Sequence, residues 1–534
     1  MQSSGAPASS AAAQPGGDYN VVPYTSVAFP QSQPARLAAL GTLFGLSSPA
    51  VATARVLELG CAAGGNLIPH AVRFPSARFV GIDLSVRHVE EGRQRIAALG
   101  LDNIEIRQGD LTALELDESF DYIICHGVYS WVPPAARDAI LRTSSDNLTR
   151  SGIAYVSYNV FPGWQMRSIV RDIMLYHAGE SGPPRERIAK ARWAVEQIAR
   201  FSPEGSPYGA MLREEAARLA RSDDYYIQGE FLVPDNAPCY FRDFIAAAEA
   251  HGLTYLCEAA IQDCIAENRG PEVGALIRTM SANKLIPLEQ YIDFFVGRPF
   301  RQTLLVKSQR AGSIKRTLTP DRAIPLHISG QLSYDRDNSG MQRHVYRGPG
   351  GGTITVGSQA ASSALDKLSA AYPETRTVAE LAAEVAALDL PGGARDAEAS
   401  ILDALFNMIL SGLVSVSTVP VRVGRSSAAK PVAWSLARAD AAANLTWTTN
   451  PRHESVNLDV VKLALLPYLD GSHDREMLAE RLHAAVRERR IFMKDNKTGQ
   501  DIQDPAALGT AVREHVASAI DGLAATGLLE ATSV

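Results

Sequence analysis

Cysteine is scarce in this chain of 534 residues. The five cysteines are scattered and include no C-x-x-C pair, so neither a disulfide framework nor a structural zinc site is expected. No run of about 18 apolar residues occurs, which argues against a membrane-spanning helix. The first residues also lack the basic start and apolar stretch of a signal peptide. Together these absences predict a protein of the reducing cytoplasm.

An excess of basic charge is also missing. The chain carries 52 Lys and Arg residues against 58 Asp and Glu residues, a net charge of −6. A protein held on nucleic acid by phosphate contacts normally has a basic balance, so no nucleic-acid partner is expected. The composition, 46% hydrophobic and 21% charged, is ordinary for a globular protein. The length suggests about three or four domains.

The most informative stretch is an apolar run that ends in a turn of small residues. The run 56–59 leads into Gly-Cys-Ala-Ala-Gly-Gly at 60–65, and a helical pattern follows. Gly60 and Gly64 have no Cβ and let a ligand approach the backbone. Glu58 stands inside the apolar run, where a charge costs free energy unless it is hydrogen-bonded. The loop lacks the G-x-G-x-x-G spacing of dinucleotide sites, so by itself it is only a weak sign of nucleotide binding.

Further strand patterns follow, and each ends in polar residues. Since open α/β sheets bind ligands at the carboxyl ends of their strands, these residues predict one site at one edge. Asp83, 23 positions after Gly60, is placed to accept the hydroxyls of a ribose. The strand patterns end at Asp83, Gly109-Asp110-Leu111, His126-Gly127 and Tyr158-Asn159.

In this order the residues resemble the class I S-adenosylmethionine-dependent methyltransferases. The resemblance rests on E-x-G-x-x-x-G at 58–64, the acidic Asp83, the pair Gly109-Asp110 and F-D-Y-I-I at 120–124. The family commonly has G-x-G inside the first loop, where this chain has Gly60-Cys61-Ala62; Ala62 is small, so the departure is mild. The resemblance implies an α/β, Rossmann-like methyltransferase domain that uses S-adenosylmethionine and no metal.

The resemblance also implies roles for particular residues. Gly60 and Ala62 would pass beneath the methionine part of the cofactor, Asp83 would hold the ribose, and Asp110 with Leu111 would frame the adenine. The full set of expected cofactor-binding residues is Tyr24, Gln31, Glu58, Gly60, Cys61, Ala62, Gly64, Asn66, Asp83, Leu84, Gly109, Asp110, Leu111 and His126.

Residues 19–310 are similar to a narrower family of bacterial methyltransferases that carry a regulatory domain, among them rickettsial protein-lysine methyltransferases. Gly229 stands where members often have His, so any role of that His is in doubt here. The motifs that carry the resemblance are Tyr24, Y-N-x-x-P-G-W at 158–164, G-E-F-L at 229–232, P-x-Y-F at 238–241, Phe244, H-G-L-x-Y-L at 251–256, Q-Y-x-D-F at 290–294 and R-x-F-R-Q-T-L-L at 298–305.

Aromatic residues after strands four and five are candidates for a methyl-acceptor pocket. Ring faces attract cationic groups, and an apolar pocket lowers the pKa of a lysine amine. The same rings can equally belong to the core, and His126 is either a base or a hydrogen-bonded structural histidine. The pocket candidates are His126, Tyr129, Trp131, Asn159 and Trp164.

The remaining patterns divide the chain. Residues 1–17 predict a disordered tail, and 18–50 predict either a lid over the cofactor, with Tyr24, Ser26, Phe29 and Gln31 in contact, or a helix on the sheet edge. The methyltransferase domain is expected at 51–180 and a mostly helical middle domain at 181–345. Residues 321–329 suggest a strand, and 346–363 a turn and linker.

Two similar units follow at 360–430 and 431–534, each with helices and a G-L-V or G-L-L strand, which is a winged-helix-like pattern. Basic residues are absent from 399–411 and reduced to Arg513 in 505–526. Protein docking or homodimer contacts are therefore favoured over DNA binding.

Three functions remain open from the sequence. The leading one is methylation of lysine side chains in a protein substrate, because large C-terminal docking units favour a macromolecular acceptor. The second is methylation of a small metabolite, with the C-terminal units serving assembly or a lid. The third is a binding module that senses the cofactor and transfers nothing.

Overall fold

The N-terminal half is built on a seven-stranded sheet. The computed structural model describes residues 26–336, 344–388, 394–494 and 499–531. The expected tail at 1–17 and Tyr24 therefore lie outside the described residues. The strands are β1 (Arg55–Leu59), β2 (Arg78–Asp83), β3 (Ile104–Gln108), β4 (Phe120–Cys125), β5 (Leu148–Asn159), β6 (Leu253–Glu258) and β7 (Phe300–Lys307).

The spatial order of the sheet is β3-β2-β1-β4-β5-β7-β6. The first five strands are parallel, and β7 runs antiparallel between β5 and β6. The chain order reverses between β1 and β4, and the crevice at that point is where open α/β sheets bind ligands. The predicted Rossmann-like α/β fold is confirmed.

Four helices accompany the parallel strands. The third begins at a side-chain cap, where Ser85 accepts the His88 N–H, and it ends at Gly100, which has φ +64°. The other three have proline in the first turn and no side-chain cap. Such a C-terminal glycine is favoured because it adopts the left-handed conformation. The helices are α1 (Pro34–Leu43), α2 (Ile68–Arg73), α3 (Val86–Leu99) and α4 (Pro134–Asp146).

The middle region is helical, as expected. Pro183 and Pro184 separate its first two helices, since proline is tolerated only in a helix's first turn. The helices are α5 (Gly163–Ala178), α6 (Pro184–Phe201), α7 (Pro207–Leu219), α8 (Asp224–Ile227), α9 (Phe241–Ala250), α10 (Pro271–Met280) and α11 (Leu285–Val296).

A buried arginine ties this region to the sheet. Arg301 on β7 lies fully buried and donates to Glu258, Glu289 and Asp293. Its guanidinium also lies 3.9 Å from the centroid of the Phe241 ring. Because one partner lies on β6, two on α11 and one on α9, the network joins these elements around β7.

Two predictions fail between residues 320 and 363. Of the expected strand at 321–329, only β8 (His327–Ser329) forms, because Pro320 begins a 3₁₀ turn. The expected linker at 346–363 is instead the strands β10 (His344–Arg347) and β11 (Thr353–Val356), which form an antiparallel sheet with β9 (Ser333–Arg336). The glycines at 348 and 350–352 make the hairpin turn, and the β-branched run 353–356 suits a strand.

The first C-terminal unit contains three helices and one strand. Thr377 and Glu380 form a capping box at the start of the second helix, which stabilises its first turn. The strand of this unit pairs with β8 and so joins the unit to the segment that follows the sheet. The elements are α12 (Gln359–Ala371), α13 (Val378–Ala386), α14 (Ala394–Leu410) and β12 (Ser415–Ser417).

The second C-terminal unit packs against the sheet domain. Asp440 in its first helix, α15 (Ser435–Ala442), forms an ion pair of 2.7 Å with Arg95 of α3. Within the described ranges, no helix is both long and apolar enough to span a bilayer. The other elements are β13 (Trp447–Thr449), β14 (Ser455–Asn457), α16 (Val460–Leu465), α17 (Arg475–Arg487) and α18 (Pro505–Ala525).

Candidate active site

A cavity of about 440 Å³ lies at the carboxyl ends of the parallel strands. It brings together most of the residues that the sequence analysis selected from separate strands, and the N-terminal segment also contributes Ser26 and Phe29. The predicted residues that line it are Glu58, Gly60, Cys61, Ala62, Asn66, Asp83, Leu84, Gly109, Asp110, Leu111, His126 and Trp131.

Two predicted cofactor residues do not line the cavity. Gly64 has φ +75°, and a Cβ there would meet the side chains of Ile106 and Ile68 rather than a ligand. Gly64 therefore allows the loop to pack closely against these two side chains. Gln31 lies in a short 3₁₀ turn (Pro30–Ser32), outside the cavity wall.

Three predicted pocket residues lie in the core instead. Trp164 is fully buried and meets the Trp131 ring edge-on, with 5.6 Å between centroids. Tyr129 packs edge-on against Phe244 at 5.2 Å. The backbone N–H of Asn159 donates to the Ser130 hydroxyl. Spacing along the sequence could not separate these buried rings from Trp131, which does line the cavity.

The first loop brings the backbone to the cavity. Gly60 has φ +74°, and a Cβ there would come within 2.4 Å of Val128 Cγ2. Ala62, where the family commonly has glycine, adopts φ +47°. Its N–H donates to Asp83 Oδ2 at 2.8 Å. This bond gives Ala62 a partner in the left-handed conformation, which costs alanine more than glycine.

Asp83 is held at the cavity edge by the backbone. Besides the bond from Ala62, its Oδ1 accepts the Ser85 N–H at 2.9 Å. Two backbone donors fix the plane of the carboxylate. An acidic group in this place, at the end of the second strand, suits a ribose diol.

Glu58 is a buried carboxyl group that faces the cavity with one oxygen unpaired. Asn66 Nδ2 donates to Oε1 at 2.8 Å, whereas Oε2 has no hydrogen-bond partner among the described residues. Burial raises the pKa of Glu58 to about 8, and the nearby Asp83 adds to the rise while the Asn66 bond opposes it. A buried acceptor without a donor costs free energy, so this atom fits a ligand that carries an ammonium group.

Asn66 connects Glu58 to two distant parts of the chain. Its Oδ1 accepts the Phe29 N–H at 2.9 Å and lies 2.7 Å from Nε2 of His453. The side chains of Asn66 and His453 are both buried. Through His453, the second C-terminal unit thus contacts Asn66, a residue of the cavity wall.

His126 lies half-buried beneath the N-terminal segment. Its Nδ1 lies 2.7 Å from the Tyr155 hydroxyl, and its ring stacks on Phe29 with centroids 3.7 Å apart. Burial lowers the pKa of His126 to about 3, so the imidazole is neutral near pH 7. A neutral group with so low a pKa is a weak general base, which leaves hydrogen bonding as its better-supported role.

The N-terminal segment crosses the first loop closely. Ser26 Oγ accepts the Gly65 N–H at 2.8 Å, and a Cβ on Gly65 would come within 2.1 Å of the Ser26 carbonyl oxygen. Gly65 is not among the predicted site residues. In the sequence, this close contact is indicated by the second glycine that follows Gly64.

The end of the cavity beyond His126 is mostly apolar. Trp131, Val132, Pro133 and Ala136 give the cavity wall an apolar part, and Asp235 of the middle region adds an exposed carboxylate to the lining. Nothing in the local sequence pattern indicated Asp235, because its position depends on how the middle region packs on the sheet. Among the described residues, no group of three His, Cys, Asp or Glu side chains is placed to hold a metal ion.

Three family models match separate parts of the chain. The methyltransferase domain model matches residues 56–152, and the model described as a predicted methyltransferase regulatory domain matches 223–307. The model described as the PKMT C-terminal winged helix domain matches 429–528. The match confirms the winged-helix-like interpretation of the second unit at 431–534, whereas that of 360–430 stays a prediction.

Relatives extend over nearly the whole chain. The uncharacterized protein RP789 of Rickettsia prowazekii is 32% identical over 500 residues, which cover 91% of this chain and 89% of that protein. The solved structure of PKMT2 from Rickettsia typhi is 26% identical, with a TM-score of 0.85, and the match covers 95% of this chain and 100% of that one. The structure of the same protein in complex with AdoHcy gives a TM-score of 0.84.

Proposed function

Because the chain belongs to the family of class I S-adenosylmethionine-dependent methyltransferases that carry a regulatory domain and a PKMT C-terminal winged helix domain, we propose that it methylates lysine side chains of a protein substrate. The observation that carries the proposal is a single cavity whose wall combines a cofactor-type loop, apolar side chains and the exposed carboxylate of Asp235.

The described residues fit the cofactor. We place its ribose at Asp83, its adenine between Asp110 and Leu111, and its ammonium group at the unpaired oxygen of Glu58. Gly60 and Ala62 then bring the backbone of the first loop beneath the methionine part. When bound, S-adenosylmethionine supplies a sulfonium methyl group for direct displacement.

The apolar part of the cavity wall, which includes Trp131, Val132 and Pro133, suits an amine as the methyl acceptor. A lysine with a pKa of about 10.4 must lose its proton, which costs roughly 4.6 kcal/mol at pH 7. Desolvation against Trp131, Val132 and Pro133 lowers that cost, because burial disfavours the charged form. Asp235 at the rim attracts the lysine cation before its ammonium group enters. These residues orient the amine and exclude water, which is the main requirement of a displacement reaction.

A protein acceptor is supported by the parts of the chain outside the cavity. The regulatory and winged helix models match residues 223–307 and 429–528, both outside the methyltransferase domain, and a small metabolite needs no such surface. The structural neighbour PKMT2 bears the PKMT name of the winged helix family and was solved with AdoHcy. The additional regions and the shared PKMT name both favour transfer to a polypeptide.

The experiment uses methyl-tritiated S-adenosylmethionine, the purified chain and a cell lysate separated afterwards into protein, nucleic acid and small molecules. Label in protein that resists mild base and is recovered as methyl-lysine after hydrolysis supports the proposal. Label confined to small molecules would replace it with methylation of a metabolite. Tight cofactor binding without transfer to any fraction would favour a cofactor sensor.

A further inference from the structure

A loop of the winged helix domain reaches the cofactor cavity. The strands β13 and β14 form a hairpin whose connecting residues, 450–454, we call the 450–454 loop. The Asn450 side chain shapes this loop, since its Oδ1 accepts the N–H groups of Arg452 and Glu454 at 2.9 and 3.0 Å. His453 stands in the loop at φ +68°. The loop is thus a built turn that presents His453 to the methyltransferase domain.

Contacts on the methyltransferase side fix His453 in place. Its ring stacks on His70 of α2, with 3.9 Å between centroids and 11° between planes. Arg73 of the same helix donates to the Pro451 carbonyl oxygen at 2.6 Å. His453 is 1% exposed, so its ring nitrogens depend on protein partners rather than on water.

The partner of His453 Nε2 is the oxygen of Asn66. The Phe29 N–H can only donate, and it meets Oδ1 of Asn66, so the amide orientation is fixed and its nitrogen faces Glu58. At 2.7 Å from this oxygen, Nε2 must be the protonated nitrogen of a neutral ring. The hydrogen bond therefore runs from the winged helix domain to Asn66, and from Asn66 to Glu58.

We propose that His453 is a positioning residue of the cofactor site, which holds Asn66 so that Glu58 points its unpaired oxygen into the cavity. The affinity for ligands that carry an amino-acid group then depends on the docking of the winged helix domain, although no described residue of that domain lines the cavity. The inference rests on the proposed placement of the ammonium group at Glu58 and is independent of the methyl acceptor.

Two ligands separate this role from a merely structural one. S-adenosylhomocysteine carries the amino-acid group, whereas 5′-methylthioadenosine has the same nucleoside and lacks it. Glu58 is expected to contribute to the affinity for S-adenosylhomocysteine and not to the affinity for 5′-methylthioadenosine. Dissociation constants of both, measured by calorimetry on the full chain, form the readout.

Two substitutions of His453 differ in whether the new side chain can donate a hydrogen bond to Asn66. His453→Asn suits the left-handed backbone, which asparagine tolerates, but its amide is too short to donate to Asn66. It is expected to weaken S-adenosylhomocysteine binding roughly five- to tenfold, the equivalent of one lost hydrogen bond, and to leave 5′-methylthioadenosine within about twofold. His453→Gln places an N–H at nearly the reach of the imidazole and is expected to restore most of the affinity.

The control loosens the same interface elsewhere. Asp440→Asn weakens the ion pair with Arg95 and leaves the contacts of His453 with Asn66 and His70 in place, so it is expected to leave both dissociation constants within about twofold. An equal loss for both ligands in His453→Asn, or no loss at all, would overturn the proposal.

Glu58→Gln tests the placement of the ammonium group separately from the role of His453. If this variant shows no ligand-specific loss, the ammonium placement itself is wrong. If it shows the loss while His453→Asn does not, the placement stands and only the role of His453 is overturned.

Discussion

At the scale of single residues, Glu58 links the chemistry of the cavity to pH. Its raised pKa has two physical origins, burial and the neighbouring Asp83. A carboxyl group with a pKa of about 8 is mostly protonated near pH 7 and ionises only when a cation arrives. In the free protein its contribution to stability is fully present below about pH 4.5 and is lost as pH rises through about 8.

Binding of S-adenosylhomocysteine is therefore expected to release roughly one proton near pH 7, because Glu58 ionises against the ammonium group. Calorimetry in two buffers of different ionisation enthalpy measures the release. At about pH 8.5 the release should fall well below that value, since Glu58 is then largely ionised before binding. The control Glu58→Gln should show no release from this site, and an identical release in the variant would contradict the assignment.

Trp131 and Trp164 touch each other but are expected to respond differently to truncation. Trp164 is fully buried, so Trp164→Ala should lower the free energy of unfolding by about 3–5 kcal/mol. Trp131 lines the cavity, so Trp131→Ala should lower the transfer rate roughly tenfold while the cofactor dissociation constant changes less than about twofold.

Denaturant unfolding, calorimetry and single-turnover transfer distinguish the two tryptophans. A loss of cofactor affinity in Trp131→Ala as large as its loss of transfer would move this ring to the cofactor end of the cavity.

At the scale of elements, the N-terminal segment crosses the first loop so closely that no room is left for a side chain at Gly65. Gly65→Ala should displace Ser26, because the new Cβ would lie 2.1 Å from its carbonyl oxygen. The expected result is a loss of cofactor affinity of roughly tenfold or more, with little loss of stability, since the N-terminal segment and not the sheet must move.

The matched control is Gly312→Ala, where a Cβ would meet nothing within 4 Å. Calorimetric titration and thermal unfolding of both variants test the expectation. Unchanged affinity in Gly65→Ala would show that the N-terminal segment does not shape the cofactor site.

The elements also show where sequence patterns mislead. The expected linker at 346–363 contains glycines and a β-branched run, and its glycines favour a turn. In the structure the same glycines close a hairpin. Strand pairing decided the outcome, and pairing partners are not visible in a single segment.

At the scale of the whole molecule, one buried ion pair spans the interface between the winged helix domain and α3. Asp440 is 2% exposed at its side chain and Arg95 is 19% exposed. Thr448 also donates to Asp440 at 2.7 Å. The pair therefore fixes α15 against the methyltransferase domain and supports β13 at the same time.

Asp440→Ala is expected to lower the free energy of unfolding by about 2–4 kcal/mol, because it leaves a largely buried guanidinium without its partner. Thermal and urea unfolding measure the loss. The comparison is Glu91→Ala, which removes the exposed pair with Arg87 and should cost less than about 0.5 kcal/mol. Equal effects of the two variants would contradict the importance of the buried pair.

The sequence alone determined the α/β order of the N-terminal half, the cofactor class and most of the cavity wall. The reason is that these features are local: a strand, a loop and the polar residue that follows each strand lie next to one another in the chain. Glu58, Asp83 and Asp110 could be selected because parallel strands must bring their carboxyl ends to one edge.

Only the tertiary structure decided which aromatic rings face the cavity, that Asp235 stands at its rim, and that His453 contacts Asn66 from 387 positions away. How α5 and the middle region pack on the sheet decides that Trp164 is buried and that Trp131 lines the cavity. The reach of His453 depends on the docking of a separate domain. Such contacts arise from packing between elements far apart in the chain, and no local pattern of residues encodes them.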